Sequence, residues 1–299
     1  MALQSSGAIS LNEIHIEAGG SSGTQASLND SDIRALISKS SGATMSFSEW
    51  YGASAALTET LSNGDTNVNV STEFGSSNFT SNTTKILVIP SGAEIGATGG
   101  TGNRAITVPS GMGGTLNIQN SGTISGAGGT GSTNSNAGGP GGSAIFIASS
   151  NVTVTNSGTI RGGGGGGGKG NDGGPGVNGY IDGALQCYGG AGGAGGNGGN
   201  GQGYNSPATS GQAGAPGGAI NPQGSHGSSN AALCALFSPF YAQAPQPGGT
   251  GSNGGDGGSF GNAGSNSDRS NGGAAGKYIE LSGVSYTLSN SGTLTGNAP

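Results

Sequence analysis

Apolar side chains recur at every second position in three short stretches, Leu116/Ile118, Val152/Val154 and Tyr286/Leu288. Each runs into nearly the same string: Asn120-Ser121-Gly122-Thr123-Ile124, Asn156-Ser157-Gly158-Thr159-Ile160 and Asn290-Ser291-Gly292-Thr293-Leu294. A period of two belongs to a half-buried strand and Asn-Ser-Gly is turn chemistry, so the pattern predicts strand-turn-strand units. Related units occur at Ile86-Leu87-Val88-Ile89-Pro90-Ser91-Gly92 and Ile106-Thr107-Val108-Pro109-Ser110-Gly111. No unit of this size can bury its own apolar face, so such units are expected to stack. Their spacing is irregular, which predicts a β-rich layer interleaved with other segments rather than a regular solenoid.

The N-terminal third is patterned differently. Residues 27–37 place Ile33, Leu36 and Ile37 on one helical face behind a Ser or Asn cap, and Ser46-x-x-Glu49 has the form of a capping box ahead of Trp50. Residues 53–98 read as short strands. Boundaries are therefore expected near 53 and near 98, giving modules 1–52, 53–98 and 99–299.

From residue 99 onward the chain is punctuated by glycine runs, among them 126–131, 138–142, 162–168, 173–179, 189–201, 211–218, 248–258 and 272–276. Glycine supplies 70 of 299 residues, a composition that favours disorder because glycine loses the most backbone entropy on folding. Collagen is excluded by only 11 prolines and by the lack of strict register. The run 189–201 reads GGAGGAGGNGGNG, and its period of three matches neither α-helix nor strand but does match polyglycine II, with three residues per turn. Such a helix has no internal hydrogen bonds and points its N–H and C=O groups outward in three directions. Helices bundled without Cβ atoms between them can bond to one another directly, with weak Cα–H···O contacts added. On this reading Gly162–Gly168 are interior, whereas Ala191, Ala194, Asn197 and Asn200 line an outward edge. The expected fold class is mostly β and irregular: a small N-terminal module, β-strand units, and a sandwich of packed polyglycine II helices with distal loops.

Charge and chemistry narrow the function. A net charge of −6 makes the chain a poor partner for nucleic acid. No basic-then-apolar stretch of the secretory type is read at the N-terminus, and the longest apolar run, Ala231–Phe237, is too short to span a bilayer, so no membrane insertion is expected. His15 and His226 are too few and too far apart for a metal site, and no cofactor or metal is expected. Gly126–Gly131 fits G-x-G-x-x-G after a strand, but no helix follows, so it is a chance match. Asp172, Asp182, Asp256, Asp268 and Glu280 are scattered singly, a poor supply for the paired carboxylates of glycan hydrolysis.

The string Gly158-Thr159-Ile160-Arg161 running into Gly162–Gly168, with further glycine motifs separated by variable loops, resembles the glycine-rich adhesins at the tips of long tail fibres of T-even-type bacteriophages. The resemblance covers about residues 85–299. It implies a polyglycine II sandwich whose distal loops bind an outer-membrane protein or surface glycan of the host, in a virion component made in the host cytoplasm. Separately, Ile9–Ile14 through Met45–Gly52 resembles a segment of assorted phage tail proteins, which implies that residues 1–52 attach to a tail fibre or tail tip protein. The segments 180–188, 202–210, 219–247 and 259–271 carry Tyr180, Tyr188, Tyr204, Phe237, Phe240, Tyr241 and Phe260, seven of the chain's 15 aromatics. Aromatics among small polar residues are the usual anchors of loop recognition surfaces, so these seven are the candidate receptor contacts. Packing of Phe237, Phe240 and Leu236 onto the sandwich is the bland alternative. Cys187 and Cys234 lie in two of these loops and are a candidate disulfide, formed after release into an oxidising exterior. The competing functions are a tailspike-like glycan-cleaving enzyme and a purely structural tail protein.

Overall fold

The computed structural model describes residues 3–53, 55–181, 184–188, 190–219, 221–222 and 246–299. Residues 3–53 gather around their own small core of Ile14, Ile33 and Trp50, whose indole donates to the Ile33 carbonyl at 3.2 Å. Helix α1 is Leu11–Glu17, opened by a capping box in which Glu13 accepts from the backbone of Ser10 at 2.7 Å. Helix α2 is Ser31–Ala35, shorter than the predicted 27–37 because residues 27–30 form a turn in which the Asp30 carboxylate accepts from Ser27 N–H. The second capping motif opens the single 3-10 turn Phe47–Trp50, with Glu49 accepting from Ser46 N–H at 2.8 Å.

The strands come next, β1 (Leu57–Thr60) and β2 (Val68–Asn69) first. Two short helices, α3 (Val70–Glu73) and α4 (Ser76–Thr80), follow and bury Val70, Phe74 and Phe79. Then come β3 (Lys85–Ile89), β4 (Glu94–Gly96), β5 (Ile106–Val108), β6 (Leu116–Asn120), β7 (Thr123–Ser125), β8 (Ile145–Ile147), β9 (Val152–Asn156) and β10 (Thr159–Arg161). Far along the chain lie β11 (Gly179–Ile181), β12 (Ala184–Tyr188) and β13 (Asn221–Pro222), then β14 (Ile279–Leu281), β15 (Tyr286–Asn290) and β16 (Thr293–Thr295).

Pairing makes three parallel sheets of all but the β11-β12-β13 group: β1-β3-β6-β9-β15, β4-β7-β10-β16 and β2-β5-β8-β14. After β1 in the first sheet and β2 in the third, strand order from β3 onward cycles through these sheets, first, second, third, first again. The strands are thus the three faces of a parallel β-helix, each turn stacked on the last. Inward residues stack in register: Leu87, Ile118 and Val154 on the first face, Ile95, Ile124 and Ile160 on the second, Ile106, Ile145 and Ile279 on the third, all fully buried. Each such side chain contributes on the order of 1.5–3 kcal/mol through burial.

Two expectations are corrected, the irregular layer and the boundary near residue 98. The repeated strings are strand-turn-strand units as expected, and their Asn-Ser-Gly turns are corners at which the chain passes from the first face to the second. Their asparagines stack into a ladder, Asn120 donating to Asn156 and Asn156 to Asn290, each at 2.7 Å. The solenoid is also regular. Its spacing looked irregular because every long excursion leaves at one corner, between the second and third faces: after Gly96, after Ser125 and after Arg161. The boundary expected near residue 98 is likewise absent, since β1 to β4 are the first turns of the same solenoid that β14 to β16 finish.

Candidate functional site

The excursions are the glycine runs, and their backbone bonds follow a rule. Residues 162–177 follow directly on β10. Gly163 and Gly166 donate to Gly142 and Gly139; Gly164, Gly167, Gly170, Gly173 and Gly176 donate to Gln202, Gly199, Gly196, Gly193 and Gly190; Gly165 and Gly168 donate to Asn262 and Ser265. Three directions are used in rotation, each with a period of three. Carbonyls along the same run accept from three other segments, 126–132, 246–258 and 273–276. Six segments therefore ring the run, and each also bonds to its neighbours around the ring, as Gly139 does to Thr130 and Ser265 to Asp256.

Glycine is required by this packing. A Cβ on Gly165 would stand 1.9 Å from the Gly273 carbonyl oxygen, and one on Gly167 would stand 1.9 Å from that of Gly255. Gly162–Gly168 are all buried, while Ala191, Ala194 and Asn200 are exposed and Asn197 is half-buried.

The bond register also fixes height above the β-helix. Segments 190–202 and 246–258 run alongside residues 164–177 for their full length, with Gly190 beside Gly176 and Gln246 beside Val177. Segments 126–132, 138–142, 262–265 and 273–276 reach only the level of about Gly168, since Ser132 donates to Gly167 and Gly168 to Ser265. The bundle is therefore stepped. Four short segments end in two loops, 133–137 and 266–271, and above them, among the described residues, one side of the central run has no backbone neighbour bonded to it. The sequence follows the step: seven glycines give way to Lys169, Asn171, Asp172 and Pro175, of which the last three are exposed. The Asp172 carboxylate accepts from Gly195 N–H at 2.8 Å and from Arg269 at 2.7 Å, and these two bonds, the backbone one foremost, hold its pKa below the usual carboxylate range.

The far end carries β11, β12 and β13, a small antiparallel sheet that grows from Val177 on one side and leads into Gly190 on the other. Tyr180 and Cys187 lie in its strands, and Tyr188 is exposed there at 46%. Phe237, Phe240, Tyr241 and Cys234 fall outside the described residues, in a segment that departs from β13 and returns at Gln246.

Tyr204 and Phe260 belong to the opposite end. A Cβ at Gly96 would fall 2.0 Å from the Tyr204 ring, so this tyrosine packs on a β-helix strand. Phe260 lies under the Arg161 guanidinium at 3.8 Å, and Arg161 also bonds to Glu94 at 2.8 Å and to Ser125 at 2.9 Å. These two aromatics join the bundle to the solenoid and do not share an end with Tyr180 and Tyr188. The overlooked signal was Gly96 itself, since a glycine within a strand marks a close approach. Among the described residues no group of His, Cys, Asp and Glu could hold a metal, and no helix is long and apolar enough to cross a membrane.

No curated protein sequence matches the chain. Among solved structures it is similar to the crystal structure of the gp37-gp38 adhesin tip complex of the bacteriophage S16 long tail fiber, at 20% identity and a TM-score of 0.55 over 96% of each chain. At that identity the likeness speaks for the fold. The family model for the phage tail fibre adhesin Gp38 matches residues 56–299, which span the whole β-helix and every glycine run. The chain belongs to the phage tail fibre adhesin Gp38 family.

Proposed function

We propose that this adhesin is the host-recognising cap of a phage tail fibre, attached through residues 1–52 and presenting the far end of a polyglycine II sandwich to an outer-membrane protein or surface glycan. The period-three bonding in three directions is what supports reading the glycine runs as polyglycine II. The observation that carries the recognition role is the register of the long segments. It sets β11 to β13, with both ends of the segment 223–245, as far from the β-helix as the bundle extends. Loops there meet a cell surface first, and an exposed tyrosine offers contact area with few rotamers to lose. Of the seven candidate aromatics, Tyr180, Tyr188, Phe237, Phe240 and Tyr241 remain with this role.

The test replaces residues 179–188 by a short Gly/Ser turn. Soluble protein with host adsorption reduced at least tenfold is the expected outcome; unchanged adsorption would assign recognition elsewhere or leave a structural spacer. Binding without cleavage is the reading adopted, so incubation with purified host envelope polysaccharide should release no new reducing ends. Closure of Cys187 on Cys234 would pre-organise two distal segments and tighten binding by reducing the order lost on contact. Unreduced peptide mass spectrometry of released particles decides it.

A further inference from the structure

The step in the bundle is a surface of different character from its far end. Its floor is the paired loops 133–137 and 266–271, which meet where Gly138 donates to the Asn271 carbonyl. Its wall is the bare side of residues 169–177. Below the step, every face of this run is bonded to a neighbour. Above it the neighbours stop, and among the described residues the N–H groups of Asp172 and Gly174 and the carbonyls of Asp172 and Pro175 have no partner. By the register below the step, these groups continue the directions that meet 138–142, 262–265 and 273–276, three adjacent positions of the ring, so the wall offers free backbone donors and acceptors on one side.

The floor is held in shape by its own bonds. Asn136 N–H donates to the Asn134 side chain at 2.9 Å, Ser132 Oγ donates to the carbonyls of Asn134 and Asn136, and Gly272 N–H donates to the Asn266 side chain at 2.9 Å. Arg269, reaching Asp172 at 2.7 Å, ties floor to wall. A ligand that docked here would have little loop order to impose.

The chemistry selects the ligand. No large apolar side chain is exposed on the step; the exposed large apolar residues among those described are Ile16, Phe47, Tyr51 and Tyr188, all elsewhere. A protein partner would meet no anchor of the kind that carries most interface energy. Lys169 and Arg269 are balanced by Asp172 and Asp268, so an anionic ligand gains nothing over a neutral one. What remains is small amides, hydroxyls and bare peptide groups, which match the dense donors and acceptors of sugar hydroxyls. We infer that the step is a second binding site, for a neutral, hydroxyl-rich glycan, set back from the far end by roughly 25 Å at about 3.1 Å per residue. The inference rests on the stepped bundle of the proposed function but not on which loops contact the receptor. A chain whose far end engages one receptor would, at this setback, brush the glycan that stands around it.

Gly174 supplies the test. A Cβ there meets nothing within 4 Å, so Gly174→Val should fold normally while filling the wall. The whole protein, Gly174→Val, Asn171→Ala and the 179–188 replacement are each passed over an array of neutral bacterial O-polysaccharides, with dextran as the control surface. The expected result is weak, selective retention of the wild type, lost at least tenfold in Gly174→Val and reduced in Asn171→Ala, but kept when 179–188 is replaced. Loss of retention with the 179–188 replacement alone would move glycan binding to the far end. Absence of retention on every neutral polysaccharide, or retention undiminished by Gly174→Val, would overturn the inference. Adsorption of the 179–188 replacement to whole cells reads the main proposal separately, so either can fail without the other.

Discussion

Single residues in this chain are decided by what a few atoms of side chain would meet. Gly165→Val places a Cβ 1.9 Å from the Gly273 carbonyl oxygen, inside a ring of bonded backbone that cannot yield without breaking other bonds. It should abolish soluble expression, whereas Ala194→Val, on the exposed edge, should express as the wild type does; equal yields would refute the interior assignment. Lys85 is a different case. It is fully buried beside the solenoid core, and its ammonium donates to the carbonyls of Ser81, Thr83 and Gly113 at 3.0, 2.9 and 3.0 Å. Burial pushes its pKa below the ordinary lysine value. Over the interval between the lowered and the ordinary value the unfolded chain binds the proton and the folded one does not, so stability rises with pH there and is flat below. Urea unfolding at about pH 8 and about pH 10 should show this rise in the wild type and not in Lys85→Met; identical slopes would mean that the three carbonyls fully compensate burial.

At the scale of elements, the asparagine ladder is what turns the chain from one face of the solenoid to the next. Asn156 sits in the middle, nearly fully buried, accepting from Asn120 and donating to Asn290. Asn156→Ala removes both bonds and leaves the buried Asn120 amide with the Thr159 carbonyl at 3.2 Å as its remaining acceptor, at a cost of about 1–3 kcal/mol for the partner lost in a buried corner. Asn290→Ala, at the exposed end, should lose much less. A thermal unfolding series of the two variants checks the gradient. The strands of this ladder were legible in the sequence because their period of two and their common string are local. The solenoid was not, because parallel neighbours such as Ile160 and Leu294 are separated by more than a hundred residues of glycine excursion. A turn signal in the sequence also does not distinguish a hairpin from a corner, because Asn-Ser-Gly suits both; the backbone does, since Gly122, Gly158 and Gly292 lack the positive φ that a two-residue hairpin requires. The glycine interior was legible for the opposite reason. Seven successive glycines have few uses in a folded chain, and the absence of any Cβ is itself the packing requirement.

The whole molecule joins three constructions: a small helical module, a β-helix and a glycine bundle. The bundle is continuous with the solenoid, since residues 126, 162 and 276 carry strand ends directly into glycine runs and Phe260 and Tyr204 pack back on Arg161 and Gly96. That junction explains why two of the aromatics expected at the receptor are spent on packing: loop composition marks both ends of the bundle alike, and only the bond register tells near from far. The helical module is joined loosely by comparison. Its core of Ile14, Ile33 and Trp50 is a separate cluster from that of the solenoid, and the family match begins only at residue 56. At the junction, Ala35 and Leu36 face Ala55, Ala56 and Thr84 across a cavity of about 450 Å³ instead of interlocking with them, and Ala55 N–H donates to Glu17 at 3.2 Å. Deleting residues 1–53 should therefore leave a soluble protein whose melting temperature shifts by no more than about 5 °C, the effect expected of roughly 1–2 kcal/mol. If this module docks on the fibre while the far loops face the host, the truncated chain should still adsorb to susceptible cells in free form yet be missing from particles assembled in its presence. Normal incorporation would place the fibre contact on the solenoid, and loss of solubility would show that the module caps the first turn of the β-helix.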